Sequence, residues 1–101
     1  MSVTTAVSPD GGTVTISIAG RFDFQLHQVL RNAYEPHLTR KPGFVIDLTQ
    51  TEYLDSSALG MLIILRKQAG GDHARVAIRG ARDGVRKTLE VANFGKLFSL
   101  S

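Results

Sequence analysis

Between Thr13 and Ala19 apolar and polar residues alternate: Val14, Ile16 and Ile18 lie on one side, Thr13, Thr15 and Ser17 on the other. A period of two is the mark of a strand with one buried face. Val3 to Val7 is a second extended stretch, joined to the first by the turn-forming Pro9-Asp10-Gly11-Gly12, and the pair predicts a hairpin. Gly20 breaks the alternation, and the period then changes. Asp23 stands where a helix N-cap belongs, and Leu26, Val29, Leu30, Ala33 and Tyr34 follow at helical spacing as a stripe read as core. Pro36 is expected to end or kink this helix near Glu35.

After Pro42-Gly43, the continuous apolar run Phe44-Val45-Ile46 predicts a central strand covered on both faces. A short polar connection leads into Asp55-Ser56-Ser57, and Ser56–Lys67 reads as a helix closed by Gly70-Gly71. That helix carries Ala58, Leu59, Met61, Leu62, Ile63, Ile64 and Leu65 around most of its circumference. Such a helix is either deeply buried or offers an apolar patch to a partner, and a domain of this size can hardly bury every face of it. Arg75 to Arg79 predicts a strand with Val76 and Ile78 facing one way. Asp83 is placed to cap a last helix with Val85, Leu89 and Ala92 inward. Asn93 or Gly95 would stop it, and Phe94, Leu97 and Phe98 would fold back as a hydrophobic plug. Strand–helix alternation after an initial hairpin predicts one α/β domain over residues 1–101, a small mixed β-sheet with helices mainly packed on one face.

Composition narrows the chemistry. The chain has 101 residues, enough for a single core, and no cysteine, which excludes disulfides and thiolate metal sites. His27, His37 and His73 fall on separate elements without metal-ligand spacing, so neither metal nor cofactor is expected. Gly11-Gly12 and Gly70-Gly71 lack the lysine of a phosphate loop, and the Gly-x-Ser-x-Gly elbow of a serine hydrolase is missing. The expectation is a protein that is not an enzyme. The first residues lack the regions of a signal peptide and no apolar run spans a bilayer, so a cytoplasmic protein with no membrane association is expected. The formal net charge is +3, but the basic residues are dispersed among acidic ones with no aromatic interleaving. That pattern argues against nucleic acid and is compatible with an acidic protein partner.

The richest position is Asp55-Ser56-Ser57, two hydroxyls and a carboxylate at a helix start, where free backbone N–H groups and the positive dipole end favour anionic oxygens. A single cap needs one polar residue, and here there are three. Glu52 and Tyr53 precede them in the connection, a natural place for partner contact; Tyr53 could equally pack across the sheet end.

Leu54-Asp55-Ser56-Ser57-Ala58-Leu59-Gly60, preceded by Phe44-Val45-Ile46-Asp47-Leu48, resembles the STAS domains of bacterial anti-sigma factor antagonists. Ile18-Ala19-Gly20-Arg21-Phe22-Asp23 is similar to the Gly-x-Leu/Phe-Asp element of that family, and the likeness runs over essentially the whole chain. The resemblance implies a STAS fold and a non-enzymatic binding module. It places the phosphorylated serine at Ser56, directly after Asp55, and a partner-contacting aspartate at Asp23. With Tyr53, Asp55, Ser57, Ala58 and Met61, Asp23 makes up the expected partner-binding set. Ala58 replaces the family's usual glycine and should firm the first helical turn. The implied partners are an anti-sigma factor that is a serine kinase and a serine phosphatase of the metal-dependent type, with the chain itself a monomer. The unmodified form would sequester the anti-sigma factor. The alternative is a STAS regulatory subunit that binds a different signalling protein or enzyme.

Overall fold

The alternating stretch is the spine of the molecule. In the computed structural model, which describes residues 2–101, strand β1 (Ser2–Val7) and strand β2 (Thr13–Phe22) form the expected antiparallel hairpin, with Val3 opposite Ile18 and Val7 opposite Val14. Val14, Ile16, Ile18 and Phe22 all point into the core. A short 3-10 turn (Phe24–Leu26) leads into helix α1 (His27–Tyr34), and Pro36 falls in a second 3-10 segment that replaces the helix after Tyr34. Strand β3 (Gly43–Asp47) lies parallel to the first half of β2. Helix α2 (Ser56–Gln68), strand β5 (Val76–Arg79), helix α3 (Asp83–Val91) and a two-residue strand β6 (Ser99–Leu100) complete the order.

Strand β4 (Thr51–Leu54) occupies the stretch read from the sequence as a connection. The main sheet runs β1-β2-β3-β5-β6, and β4 pairs with β2 off that path. β2 is ten residues long, twice the length of β3, so its far half is left without β3 as a neighbour. β4 fills that gap, in parallel, with Arg21 opposite Tyr53 and Phe22 opposite Leu54. The register shifts between Gly20 and Arg21, where Gly20 has a φ of +85° that side chains other than hydrogen resist. The buried Thr51 hydroxyl donates to the Ile18 carbonyl at 2.7 Å, which locks β4 onto β2.

One core lies between the sheet and the helices. Phe44, Ile46, Val76 and Ile78 meet Leu30, Leu62, Leu65, Val85 and Leu89 in it. The expectation of a β3 covered on both faces is corrected: Phe44 and Ile46 are buried while Val45 is only half-buried, because the helices lie on the other side of the sheet. Three further expectations also change. Val29 is 47% exposed, since an eight-residue helix at the sheet margin buries only the line Leu30 and Tyr34, extending from Leu26. Asp83 is the first helical residue with a φ of 43°; the cap position falls on Arg82, and neither side chain caps the helix. Ala92 is exposed because α3 ends at Val91, where Asn93 in the left-handed region stops it. Phe94 and Phe98 do form the plug, stacked at 5.1 Å, with Leu97 left partly outside.

Candidate functional site

β2 and β4 run side by side in the same direction, and each is followed directly by an aspartate. Beyond the paired Phe22 and Leu54, which are buried, come Asp23 and Asp55, each extended and each opening a helical turn. Two helix starts therefore meet at the C-terminal end of one strand pair. Because strand side chains alternate, Arg21, Asp23, Tyr53 and Asp55 share the face opposite Phe22 and Leu54.

The two carboxylates cap in different ways. Asp23 accepts from the Gln25 backbone N–H at 3.0 Å, and its other oxygen lies 3.5 Å from the Arg21 Nε. Asp55 accepts from the Ala58 N–H at 3.1 Å and from the Ser57 hydroxyl at 2.6 Å, both on Oδ1. These donors hold the Asp55 carboxyl below the ordinary carboxylate range, the Ser57 hydroxyl contributing most and the Ala58 N–H next. The two hydroxyls of the motif are thereby separated. Ser57 is half-buried and spends its proton on Asp55, whereas Ser56 is exposed and its hydroxyl makes no hydrogen bond among the described residues.

Helix geometry decides which neighbours share the surface with Ser56. At about 100° per residue, Ala58, Met61, Leu62 and Leu65 fall on one side of α2, and all four are buried. Ser56, Gly60, Ile63 and Lys67 fall on the opposite line. Ile63 and Ile64 are 43% and 48% exposed, so the helix does present apolar surface beyond the core. The same geometry turns two of the expected contact residues inward: Ala58 is fully buried and Met61 nearly so, Met61 lining a groove with His27 and Ile64. On the other flank Leu59 joins Val91 and Ala92 in an apolar groove between α2 and α3.

Tyr53 is exposed rather than packed across the sheet end. The guanidinium of Arg21 lies 4.2 Å from the centre of its ring, a cation–π contact across the β2–β4 register. Phe24, directly after Asp23, is 69% exposed and stacks on His27. Neither Arg21 nor Phe24 is singled out by the sequence; the alternation of Gly-Arg-Phe-Asp marks Arg21 as outward-facing only once β4 is known to lie beside it. No group of three or more metal-ligating side chains occurs among the described residues, and no helix there is long and apolar enough to cross a membrane.

Comparison with known proteins places these features in a family. Residues 5–100 match the model described as "Mlab, STAS domain". A STAS-domain containing protein of Pseudomonas aeruginosa (strain UCBPP-PA14) is 46% identical over 101 residues, the whole length of both chains. Among solved structures, an anti-sigma factor antagonist from Mycobacterium paratuberculosis is 25% identical, with a TM-score of 0.79 over 98% of this chain and 85% of that one. The Bacillus cell fate determinant SpoIIAA in its phosphorylated form has a TM-score of 0.75 at 14% identity, over 99% of this chain and 91% of its own. The fold also recurs in a sulfate transporter family protein of Wolinella succinogenes, with a TM-score of 0.70 at 15% identity over 90% of this chain and 73% of that one. The fold alone does not choose the partner.

Proposed function

This chain belongs to the STAS domain family, and from that premise we propose that it is an anti-sigma factor antagonist whose binding is gated by phosphorylation of Ser56. The observation that carries the reading is the division of labour between the two hydroxyls. Ser56 stands exposed and unengaged at the first position of α2, while Ser57 is held by Asp55. A kinase needs an accessible hydroxyl, and the site offers that one. The unmodified chain binds an anti-sigma factor through Asp23, Phe24, Tyr53 and the outward line of α2 at Ser56 and Ile63. It carries out no catalysis of its own.

Phosphorylation adds about −1.5 to −2 charge at the rim of that surface. The start of α2 accepts the charge within the chain, through its free N–H groups and dipole. A partner packed over Ser56 instead meets bulk, charge and a desolvation penalty, and is released. The anti-sigma factor is itself the kinase, and a metal-dependent serine phosphatase resets the switch in the cytoplasm. The fold's recurrence in a transporter-family protein keeps a second reading in view, a STAS subunit that regulates another protein through the same surface. Fragmentation mass spectrometry of the chain isolated from its native cells tests the first reading. The expected result is a phosphate on Ser56 that phosphatase treatment removes. A chain never phosphorylated under any growth condition would sink the gating mechanism.

A further inference from the structure

The charges at the paired strand ends are out of balance. Among residues 20–23 and 51–55, which form those ends, Arg21 is the one cation and Asp23, Glu52 and Asp55 are the carboxylates. Its present attachments are weak and divided. The Arg21 side chain is 60% exposed, its Nε reaches Asp23 only at 3.5 Å, and its guanidinium carbon lies 4.2 Å from the centre of the Tyr53 ring. A long, exposed pair of this kind holds an arginine loosely. No ion pair joins Arg21 to Asp55 among the described residues, and the capping oxygen of Asp55 is taken by Ser57 and the Ala58 N–H.

We propose that Arg21 is the phosphate-holding residue of the modified chain, leaving Asp23 and the Tyr53 ring to pair with a phosphoryl group on Ser56. The inference rests on the phosphorylation of Ser56 proposed above. Arg21 faces Tyr53 across the register, and Tyr53 lies three residues before Ser56 on the same face as Asp55. The guanidinium is therefore already at the end of β4 from which α2 starts. A phosphate dianion offers that planar fork two oxygens, a stronger match than one carboxylate oxygen at the limit of contact. The transfer also has a consequence at a distance from the phosphate. It uncovers the Tyr53 ring and frees the Asp23 carboxylate, so the partner-facing surface changes charge and shape with no rearrangement of the backbone.

The test uses the full chain with phosphoserine installed at position 56 during translation, compared with the same chain carrying Arg21→Gln or Arg21→Lys. The phosphorus NMR signal is titrated over about pH 5 to 8, around the second ionisation of a phosphoserine, and the Tyr53 ring protons are followed before and after modification. The native phosphate should lose its last proton about half a pH unit or more below that of Arg21→Gln. The Tyr53 ring signals should shift on modification in the native chain and stay still in Arg21→Gln. Identical titration curves would overturn the proposal. So would full recovery by Arg21→Lys, since a lysine supplies the charge without the fork. The exposed position of Arg21 lets both variants fold, and the spectrum of each unmodified form verifies it. Kinase and partner are absent from this experiment. Failure of the clamp therefore leaves gating at Ser56 standing, and a missing phosphate in native cells would count against gating alone.

Discussion

The β2–α1 corner and the β4–α2 corner are built from the same parts and end differently. Each strand buries an apolar residue, Phe22 or Leu54, and then turns outward at an extended aspartate that caps the succeeding helical turn. At Asp23 the cap opens a single 3-10 turn before α1, and the next side chain, Phe24, is an exposed ring. At Asp55 the cap opens thirteen residues of α-helix, and the next side chain is an exposed hydroxyl. Asp55 is braced by the Ser57 hydroxyl at 2.6 Å, whereas Asp23 has only the exposed Arg21 at 3.5 Å. On the proposed function, one corner presents a contact and the other a phosphate acceptor with a rigid base. The same local design would then serve binding or modification according to the residue after the aspartate and the length of helix behind it.

The largest effect should come from removing what the corners stand on. Phe22→Ala is expected to cost about 4 kcal/mol of stability and Leu54→Ala about 2–3, read from urea unfolding; near-equal losses well below these would mean that the paired anchors are not what hold the corners. Phosphoserine at position 56 should weaken binding of the cognate anti-sigma factor about 100-fold, or ~2.7 kcal/mol, with Phe24→Ala weakening the unmodified chain less; calorimetric titration would reveal the opposite order if the contact corner dominated. Ala58→Gly should lower stability by about 1 kcal/mol and leave the β2–α1 corner unaffected, as amide exchange at Gln25 would verify. Acid should act through Asp55. Its folded-state carboxyl lies below the ordinary value, so its contribution is fully present above that value and is lost as pH falls through the depressed one. The Ala58 amide should exchange faster at that acid limit, at constant intrinsic rate, and Asp55→Asn should flatten the dependence.

Much of this architecture is legible in the chain alone. The hairpin is plain because Thr13–Ala19 alternates cleanly, and the one-sided helical layer follows from the element order. β4 is not legible for a definite reason. Thr51-Glu52-Tyr53-Leu54 is four residues long with two exposed positions in the middle, and its only partner is the far half of a strand whose register shifts at Gly20. Missing β4 hides the neighbour relation of Asp23 and Asp55, and with it the placement of Arg21 over Tyr53. Val29 misleads because the short α1 buries only the i, i+4 line of Leu26, Leu30 and Tyr34, and Val29 falls beside that line rather than on it. The motif at Asp55-Ser56-Ser57 is visible as residues, but which hydroxyl is free depends on a side-chain hydrogen bond that no spacing rule supplies.

That hydrogen bond bears on the information the protein can carry. Two neighbouring free serines would admit several mixed modification states, and a circuit reading them would have to tolerate graded and ambiguous signals. On the proposed gating, the commitment of the Ser57 hydroxyl to Asp55 at 2.6 Å leaves Ser56 as the one unengaged hydroxyl of the motif. A message written there would be binary, kept so by a carboxylate that also starts a helix.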